Sequence, residues 1–175
     1  EEQLTLPHDG HPGGELNLIL SAASSSDADE DALTYVWVSG DVEVTTSVDT
    51  LDFNRVIDEL YTPFTVSVTV SDIYGAESSS EITVQAIEPN EAPVANAGED
   101  HFKTIPHDGV PGSGEACLTL DPINSYDPEG DEMFFTWAPV SDSRSTEVCL
   151  TEGVHTFELT ATDAYGASST DEVMV

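Results

Sequence analysis

The chain repeats itself once, and this internal repeat is the feature that most restricts its possible folds. The segment PHDGHPG at Pro7–Gly13 returns as PHDGVPG at Pro106–Gly112. An acidic stretch that ends at Trp37 returns as one that ends at Trp137, and a later segment, SDIYGAESS, returns as TDAYGASS. Three matches in the same order indicate two copies of one structural unit.

The repeat also predicts where the two copies meet. The segment IEPNEAPVA at Ile87–Ala95 carries two prolines and leaves no room for a helix. Proline fixes its own φ and biases the preceding residue toward extended backbone, so this segment is predicted to be a short, stiff connector. The predicted domains are residues 1–88 and 89–175.

Apolar and polar residues alternate along both copies, as they do in strands with one buried face. Leu16–Leu20, Val66–Val70 and Phe157–Ala161 show this pattern, and no stretch has convincing helical periodicity, with room for a helical turn or two only near Asp52–Leu60. Further strands are predicted at Thr34–Val38, Val42–Val48, Glu81–Ala86, Phe134–Ala138, Glu147–Leu150 and Glu172–Val175. About seven short strands per copy predict an all-β chain of two antiparallel β-sandwiches.

Each copy contains one tryptophan, Trp37 or Trp137, within a predicted central strand. We expect both to be core residues. The alternative, a sugar-stacking platform, requires that the rings be exposed.

The charge of the chain excludes several classes of partner. Thirty-five Asp and Glu residues face three basic residues, for a formal net charge of −32. Nucleic acids bind through clustered Lys and Arg, and an acidic membrane surface would repel this chain. Self-repulsion also works against the compact state, so we expect salt or bound cations to favour folding. A saline or a calcium-rich extracellular setting, or a location on the cell surface, fits this requirement. The longest apolar runs are only a few residues, so no membrane span is predicted.

The two cysteines, Cys117 and Cys149, both lie in predicted strands of the second copy. They are best interpreted as one disulfide within that copy, which would place the chain outside the cytosol. The alternative is a pair of buried free thiols. Metal binding by these cysteines is not favoured, because no second pair lies at close spacing.

The second copy resembles the PKD (polycystic kidney disease) domain, an immunoglobulin-like sandwich. The resemblance rests on NEAPVANAGED at Asn90–Asp100, SYDPEGDEMFFTW at Ser125–Trp137 and HTFELTATDAYGASS at His155–Ser169. It covers the whole second copy and, with weaker matches, Leu16–Ala86 of the first. The turn that commonly follows the tryptophan in this family is replaced in both copies. The PHDGxPG segments are an addition, interpreted as a loop before the second strand.

The acidic turns 27–31 and 127–131 carry carboxylates at alternate positions. Such spacing can direct several oxygens at one point, as a hard cation such as calcium requires, whereas magnesium tends to keep its waters. The resemblance to calcium-binding PKD domains implies calcium ligands at Asn90, Asp127, Glu129 and Asp163 in the second copy and at Asp27, Asp29 and Asp72 in the first. The alternative is that Asp27 and Asp127 only cap turns through the backbone.

Catalysis finds little support in the sequence. No nucleophile elbow, metalloprotease helix motif or phosphate-binding glycine loop is present. His8 with Asp9 and His107 with Asp108 supply too few ligands for zinc, so turn chemistry or a packing contact explains them better.

The sequence therefore predicts a non-catalytic extracellular module: a spacer, an adhesive stalk or a subunit of a surface filament, rigidified by calcium. Its partners would be other domains or subunits of the same assembly, and the residues before Leu16 are candidates for pairing between chains. The alternative is an accessory carbohydrate- or substrate-binding module of a secreted degradative enzyme, with Tyr61 or Tyr126 in contact with polysaccharide.

Overall fold

A computed structural model of the chain describes residues 2–175, and its regular structure consists of strands. The strands are β1 (Glu2–Thr5), β2 (Gly14–Ser21), β3 (Thr34–Ser39), β4 (Val42–Thr46), β5 (Thr50–Ile57), β6 (Phe64–Ser71), β7 (Glu77–Ile87), β8 (Ala116–Leu120), β9 (Phe134–Ala138), β10 (Thr146–Leu150), β11 (Thr156–Thr162) and β12 (Ser168–Met174). Residues 2–175 contain no helix long and apolar enough to cross a membrane.

The chain forms two compact units. Unit 1 ends at Pro89, and unit 2 covers Asn90–Val175. The strands β1 to β7 belong to unit 1 and β8 to β12 to unit 2.

Unit 1 contains a five-stranded sheet of order β1-β7-β6-β3-β4 and a two-stranded sheet of β2 and β5. The core lies between these two sheets, because residues of both contribute to one apolar cluster, among them Leu16, Trp37 and Val84. A central three-strand group extended by a neighbouring hairpin strand, opposite a second sheet, is the arrangement of an immunoglobulin-like sandwich. The all-β prediction is confirmed.

Unit 2 repeats this arrangement with fewer strands. Its sheets are β12-β11-β9 and β10-β8, and its core includes Leu120, Trp137 and Leu159. Strand β11 pairs with both of its neighbours, so Leu159 lies opposite Trp137 on one side and Asp171 on the other. The segment before β8 adds an isolated bridge between Val94 and Tyr126.

The structure corrects two expectations in unit 1. The helical turns expected near Asp52–Leu60 are wrong, because β5 occupies Thr50–Ile57 and alternates partly buried and exposed side chains. The expectation of antiparallel pairing fails at one point, because β1 pairs with β7 in parallel, with Leu4 opposite Ala86.

Strand β1 also concerns the proposed pairing between chains. Residues before Leu16 were candidates for such contacts, but Glu2–Thr5 pair within their own unit, and Leu6 is 3% exposed with its N–H donating to Ile87 O at 2.7 Å. Leu6 is apolar and covers one end of the core of unit 1, so its burial holds this part of the chain within the unit.

Both tryptophans are buried, Trp37 at 5% and Trp137 at 1% exposure. The indole N–H of Trp137 donates to the carbonyl oxygen of Arg144 at 2.9 Å. Rings in these positions pack against the core and offer no stacking platform for a sugar.

The disulfide Cys117–Cys149 is present, and the alternative of free thiols is excluded within residues 2–175. The two cysteines are directly opposite each other on β8 and β10. The side chains of both cysteines are exposed and point away from the core. The neighbouring residues Leu118 and Val148 point the other way and belong to the core. The disulfide therefore clamps one sheet from its outer face.

Candidate metal centre

The first residues of unit 2, Asn90–Gly98, form an extended stretch that we term the leading segment. Its backbone N–H groups at Ala95 and Ala97 donate to Ser169 Oγ and Asp171 Oδ2, each at 2.8 Å. Pro93 and Ala97 are buried against the sandwich. This anchoring fixes the start of the segment, where the Asn90 side-chain amide donates to Asp163 Oδ2 at 2.9 Å.

The acidic turn 127–131 is folded around Asp127. One of its carboxylate oxygens, Oδ1, accepts hydrogen bonds from the backbone N–H groups of Glu129, Gly130 and Asp131 at 2.9, 3.0 and 3.1 Å. Capping of this kind is an ordinary role of aspartate in turns. It uses only one oxygen, so it leaves the other available for a ligand.

Asp163 plays the same part in the turn between β11 and β12. Its Oδ1 accepts hydrogen bonds from the N–H groups of Tyr165 and Ala167, both at 2.9 Å. The residue is 3% exposed. A buried aspartate at this point brings its second oxygen to the same end of the sandwich as the turn 127–131.

Three carboxylates converge at this end of unit 2. Asp127, Asp131 and Asp163 each place one carboxylate oxygen within 4.8 Å of the others. Asp127 and Asp131 are each 9% exposed. Two like charges about 4 Å apart repel by roughly 4 kcal/mol at an effective dielectric constant of about 20. A positive charge placed between these carboxylates would offset this repulsion.

Two buried oxygens at this cluster, one from Asp127 itself and one from Asn90, lack a hydrogen-bond donor within the part of the chain that the structure describes. They are Asn90 Oδ1 and Asp127 Oδ2. Burial of a polar oxygen without a partner costs about 1–3 kcal/mol. Both oxygens have the chemistry of ligands for a hard cation.

The sequence prediction named most of this site. The structure places Asn90, Asp127 and Asp163 close together, and their role as calcium ligands stays a prediction. Glu129 lies at the rim: it is exposed, its Oε2 accepts the N–H of Glu91 at 2.8 Å, and one of its oxygens is within 4.8 Å of Asp131. Asp131 was not among the predicted ligands, although its place in the alternating carboxylates of turn 127–131 was a usable signal.

The equivalent residues of unit 1 are not brought together in the same way. Asp27 Oδ1 caps its own turn by accepting the N–H groups of Asp29 and Asp31 at 2.8 and 3.1 Å. Asp72 Oδ1 accepts the N–H groups of Tyr74 and Ala76. Within residues 2–175, no set of three metal-ligating side chains converges in unit 1 alone. The capping interpretation of Asp27 therefore accounts for its contacts.

The repeated histidines are held by turn and packing contacts. In unit 1, His8 Nδ1 lies 3.1 Å from Pro89 O and 3.7 Å from Glu88 Oε1. Glu88, itself 9% exposed, also accepts the hydroxyl of Tyr61 at 3.1 Å, and that hydroxyl accepts the N–H of Gly13 at 3.2 Å. Burial raises the pKa of Tyr61 above its ordinary value of 10.0. This network fastens the PHDGHPG loop to the end of β7.

The corresponding loop of unit 2 is held locally. Asp108 accepts the N–H of Val110 at 2.8 Å and the hydroxyl of Ser113, and these hydrogen bonds lower the pKa of Asp108. The turn chemistry predicted for PHDGxPG describes both loops.

No family model matches the chain. The human dyslexia-associated protein KIAA0319 is 33% identical over 114 residues, which cover 62% of this chain and 11% of that protein. The chain thus spans only a small part of this relative. The resemblance to PKD domains continues to rest on the motifs of the sequence.

Solved structures similar to the chain are β-sandwich modules. The fibronectin(III)-like modules of CbhA from Clostridium thermocellum show 14% identity and a TM-score of 0.36, covering 99% of this chain and 87% of theirs. The glucan-utilization protein SGBP-B of Bacteroides ovatus, solved with a mixed-linkage heptasaccharide, shows 17% identity and a TM-score of 0.32, covering 98% and 43%. The protocadherin GammaB4 extracellular domain shows 15% identity and a TM-score of 0.37, covering 99% and 30%. These likenesses are too distant to bear on function.

Proposed function

We propose that this chain is a non-catalytic structural or adhesive module of the extracellular space, and that unit 2 binds one calcium ion. The observation that carries this proposal is the convergence of three buried aspartates beside two buried oxygens, Asn90 Oδ1 and Asp127 Oδ2, that no donor reaches within residues 2–175. A cation at this point would neutralise the carboxylates and give both oxygens a partner.

The donor set selects the class of metal. All of the candidate ligands are oxygens, from Asn90, Asp127, Asp131 and Asp163, with Glu129 at the rim. Calcium takes six to eight oxygen ligands in flexible geometry, whereas zinc prefers nitrogen and sulfur. Magnesium tends to retain its water shell and is the poorer fit.

Bound calcium would join three separate pieces of unit 2. Asn90 begins the leading segment, the turn 127–131 precedes β9, and Asp163 directly follows β11. Ligands from all three would tie the segment that follows Pro89 to the sandwich. A rigid start of the second unit suits a spacer or a stalk.

Two further properties support an extracellular location. Unit 2 contains a disulfide, and disulfides form and persist mainly in oxidising compartments. The net charge of −32 is best tolerated where salt or divalent cations are abundant. On this proposal, the partners are other domains or subunits of the same extracellular assembly.

The geometry gives the carbohydrate-binding alternative less support than the structural one. Tyr61 is partly buried and uses its hydroxyl within unit 1, so it does not form a sugar-binding platform. Tyr126 is 56% exposed, but its backbone pairs with Val94 in the leading segment.

The test is calorimetric titration of calcium into chelator-treated protein, with thermal melts in EDTA, in calcium and in sodium chloride of matched ionic strength. We expect one calcium per chain and a calcium-specific rise in the melting temperature of unit 2. A ligand present at 100 times its Kd stabilises by about 2.7 kcal/mol. Equal stabilisation by sodium chloride, or a stoichiometry of two, would contradict the proposal.

A matched pair of variants separates calcium binding from turn capping. Asp163→Ala and Asp72→Ala remove the same capping carboxylate from equivalent turns. Only Asp163 faces the cluster, so we expect calcium to stop stabilising Asp163→Ala and to continue stabilising Asp72→Ala. If both variants keep the calcium response, the site is elsewhere.

Asp131→Asn is expected to shift the melting temperature of unit 2 in opposite directions with and without calcium. This change removes one negative charge from the cluster with little change of shape. In EDTA it relieves repulsion and is expected to raise the melting temperature of unit 2, and in calcium it removes a ligand and is expected to lower it. Changes of the same sign in both solutions would show that the cluster holds no ion.

A further inference from the structure

Unit 1 contains a cavity that is bordered by β4 of one sheet and β5 of the other. Its volume is about 150 Å³. Most of its walls are apolar side chains, which include Val42, Val44, Leu51, Phe53 and Val66. Every lining residue lies between Trp37 and Val66 in the sequence, well inside the chain.

One wall of this cavity carries a buried hydrogen-bond donor. The Trp37 side chain is 5% exposed, and its indole N–H reaches no acceptor among residues 2–175. The equivalent N–H of unit 2, that of Trp137, donates to the carbonyl oxygen of Arg144, just before β10. Strand β5 is the counterpart of β10 and forms the facing wall of the cavity. A buried donor without an acceptor is costly, so an acceptor within the cavity would stabilise this site.

The guanidinium of Arg55 is a second donor at the same cavity. Arg55 occupies an inward-facing position of β5, although the other residues of that face are apolar. Its guanidinium carbon lies 4.3 Å from the centroid of the Phe64 ring, and one nitrogen lies 3.5 Å from Ser39 Oγ. Within residues 2–175, the guanidinium forms no salt bridge. Most of its N–H groups are therefore available to a ligand.

Two donors on apolar walls select the chemistry of the ligand. A carboxylate only accepts hydrogen bonds, and its two oxygens are able to accept from an indole N–H and from a guanidinium. A short aliphatic chain attached to the carboxylate matches the valine and leucine walls. Pockets for drug-sized ligands measure about 300–1,000 Å³, so a cavity of about 150 Å³ suits a molecule of only a few carbon atoms.

We propose that this cavity of unit 1 binds a small aliphatic carboxylate, with Trp37 and Arg55 as the donors to its oxygens. The net charge of −32 works against anions at long range, but salt screens this repulsion, whereas the guanidinium acts at contact distance. Asp52 also borders the cavity, from the exposed face of β5, so the ligand carboxylate must lie on the Arg55 side. This inference concerns unit 1 and does not rest on calcium binding by unit 2.

The experiment uses the whole chain, labelled with ¹⁵N, and sodium hexanoate as the probe, in physiological salt with EDTA. The chain has two tryptophans, so its NMR spectrum contains two indole N–H signals. We expect hexanoate to shift the Trp37 signal downfield and with saturation. The Trp137 signal should stay unchanged, because its N–H already has an acceptor.

Three further probes define which part of the ligand is recognised. Hexanol and hexylammonium keep the aliphatic chain but lack the carboxylate, and acetate keeps the carboxylate but lacks the chain. We expect each of them to bind at least about tenfold more weakly than hexanoate. Hexylammonium is the most demanding control, because a chain of this negative charge attracts cations in general.

Arg55→Gln and Arg144→Gln form a matched pair of variants. Each removes a guanidinium that lies over a phenylalanine ring, Phe64 in unit 1 or Phe135 in unit 2. Only Arg55 lines the cavity, so we expect Arg55→Gln to lose the hexanoate shifts and Arg144→Gln to keep them. If Arg55→Gln fails to fold, the comparison of the four probes on the wild type decides.

Three results would overturn the proposal. The absence of a saturable Trp37 shift at millimolar hexanoate would show that the cavity holds water only. Equal binding of hexanol would show an apolar pocket that does not recognise the carboxylate. Unchanged binding of hexanoate to Arg55→Gln would remove the arginine from the site.

Discussion

The two units differ in the chemistry of one cross-strand pair that occupies the same position in both sandwiches. In unit 2, Cys117 and Cys149 face each other on β8 and β10 and form a disulfide. At the equivalent place in unit 1, Asn17 faces Asn54 on β2 and β5, and their side chains form a hydrogen bond of 2.7 Å. The strand pair is the same, but its fastening is covalent in one copy and weak in the other.

The ends of the two sandwiches differ in a related way. Unit 1 is closed by β1, by Leu6 and by the contacts of Glu88. Unit 2 is closed by its leading segment and by the acidic cluster that Asp163 completes. The strand pattern of the repeat specifies the sandwich, and different local contacts close the end of each unit.

Removal of the disulfide should give the largest difference in stability between the two units. Cys117 and Cys149 are 32 residues apart, and closing a loop of that size stabilises a fold by about 2–4 kcal/mol, chiefly through the unfolded state. We expect the double change Cys117→Ala and Cys149→Ala to destabilise unit 2 by this amount and to leave unit 1 unchanged. Denaturant unfolding monitored by NMR resolves the two units.

The matched control is the double change Asn17→Ala and Asn54→Ala. These side chains are exposed, so loss of their hydrogen bond should cost unit 1 about 0.5–1 kcal/mol or less. If the asparagine and cysteine changes cost the same, the covalent link contributes nothing beyond an ordinary cross-strand contact.

Tyr61→Phe should have the next largest effect, and its effect should fall on unit 1. The change removes the donor to buried Glu88 and the acceptor for Gly13, so we expect a loss of about 1–3 kcal/mol. Tyr74→Phe, at an 81% exposed position, is the control and should change stability little. Thermal and denaturant melts at pH 7 measure both.

The same substitution predicts a pH dependence. Because burial raises the pKa of Tyr61, the fold favours the neutral phenol. The stabilisation is fully present below the ordinary pKa of 10.0 and is lost as pH rises through the higher folded-state pKa. We expect the stability of unit 1 to fall more steeply above pH 10 in the wild type than in Tyr61→Phe. Parallel curves would show that the hydroxyl does not couple to folding.

The sequence predicted the sandwich well because apolar and polar residues alternate along a strand that has one buried and one exposed face. Phe134–Ala138 was predicted with the observed bounds of β9, and its buried and exposed residues alternate in the structure although Phe134, an apolar residue, is exposed. Strand β7 begins at Glu77 rather than at Glu81, because ESSS has no apolar residue to mark a buried face. Those serines pair with β6 through the backbone, which side-chain pattern does not reveal.

The candidate site was predicted in part for a similar reason. The motifs named Asn90, Asp127 and Asp163, whose positions follow from the strands and turns around them. They did not show which carboxylate of turn 127–131 points inward, because that depends on backbone angles such as the φ of 91° at Gly130. Asp131 faces the cluster and Glu129 lies at its rim, an outcome that spacing alone does not decide.

The smallest effect we predict tests what the leading segment contributes to the stability of unit 2. Ser169→Ala removes the acceptor of the Ala95 N–H, so we expect unit 2 to lose about 1 kcal/mol and the Ala95 amide to exchange faster with solvent. Ser78→Ala is the equivalent change in unit 1, at an exposed residue of β7, and it should leave stability unchanged. Hydrogen exchange and melts of both variants measure the contrast. Equal losses would mean that these serines stabilise their strands directly and not through the leading segment.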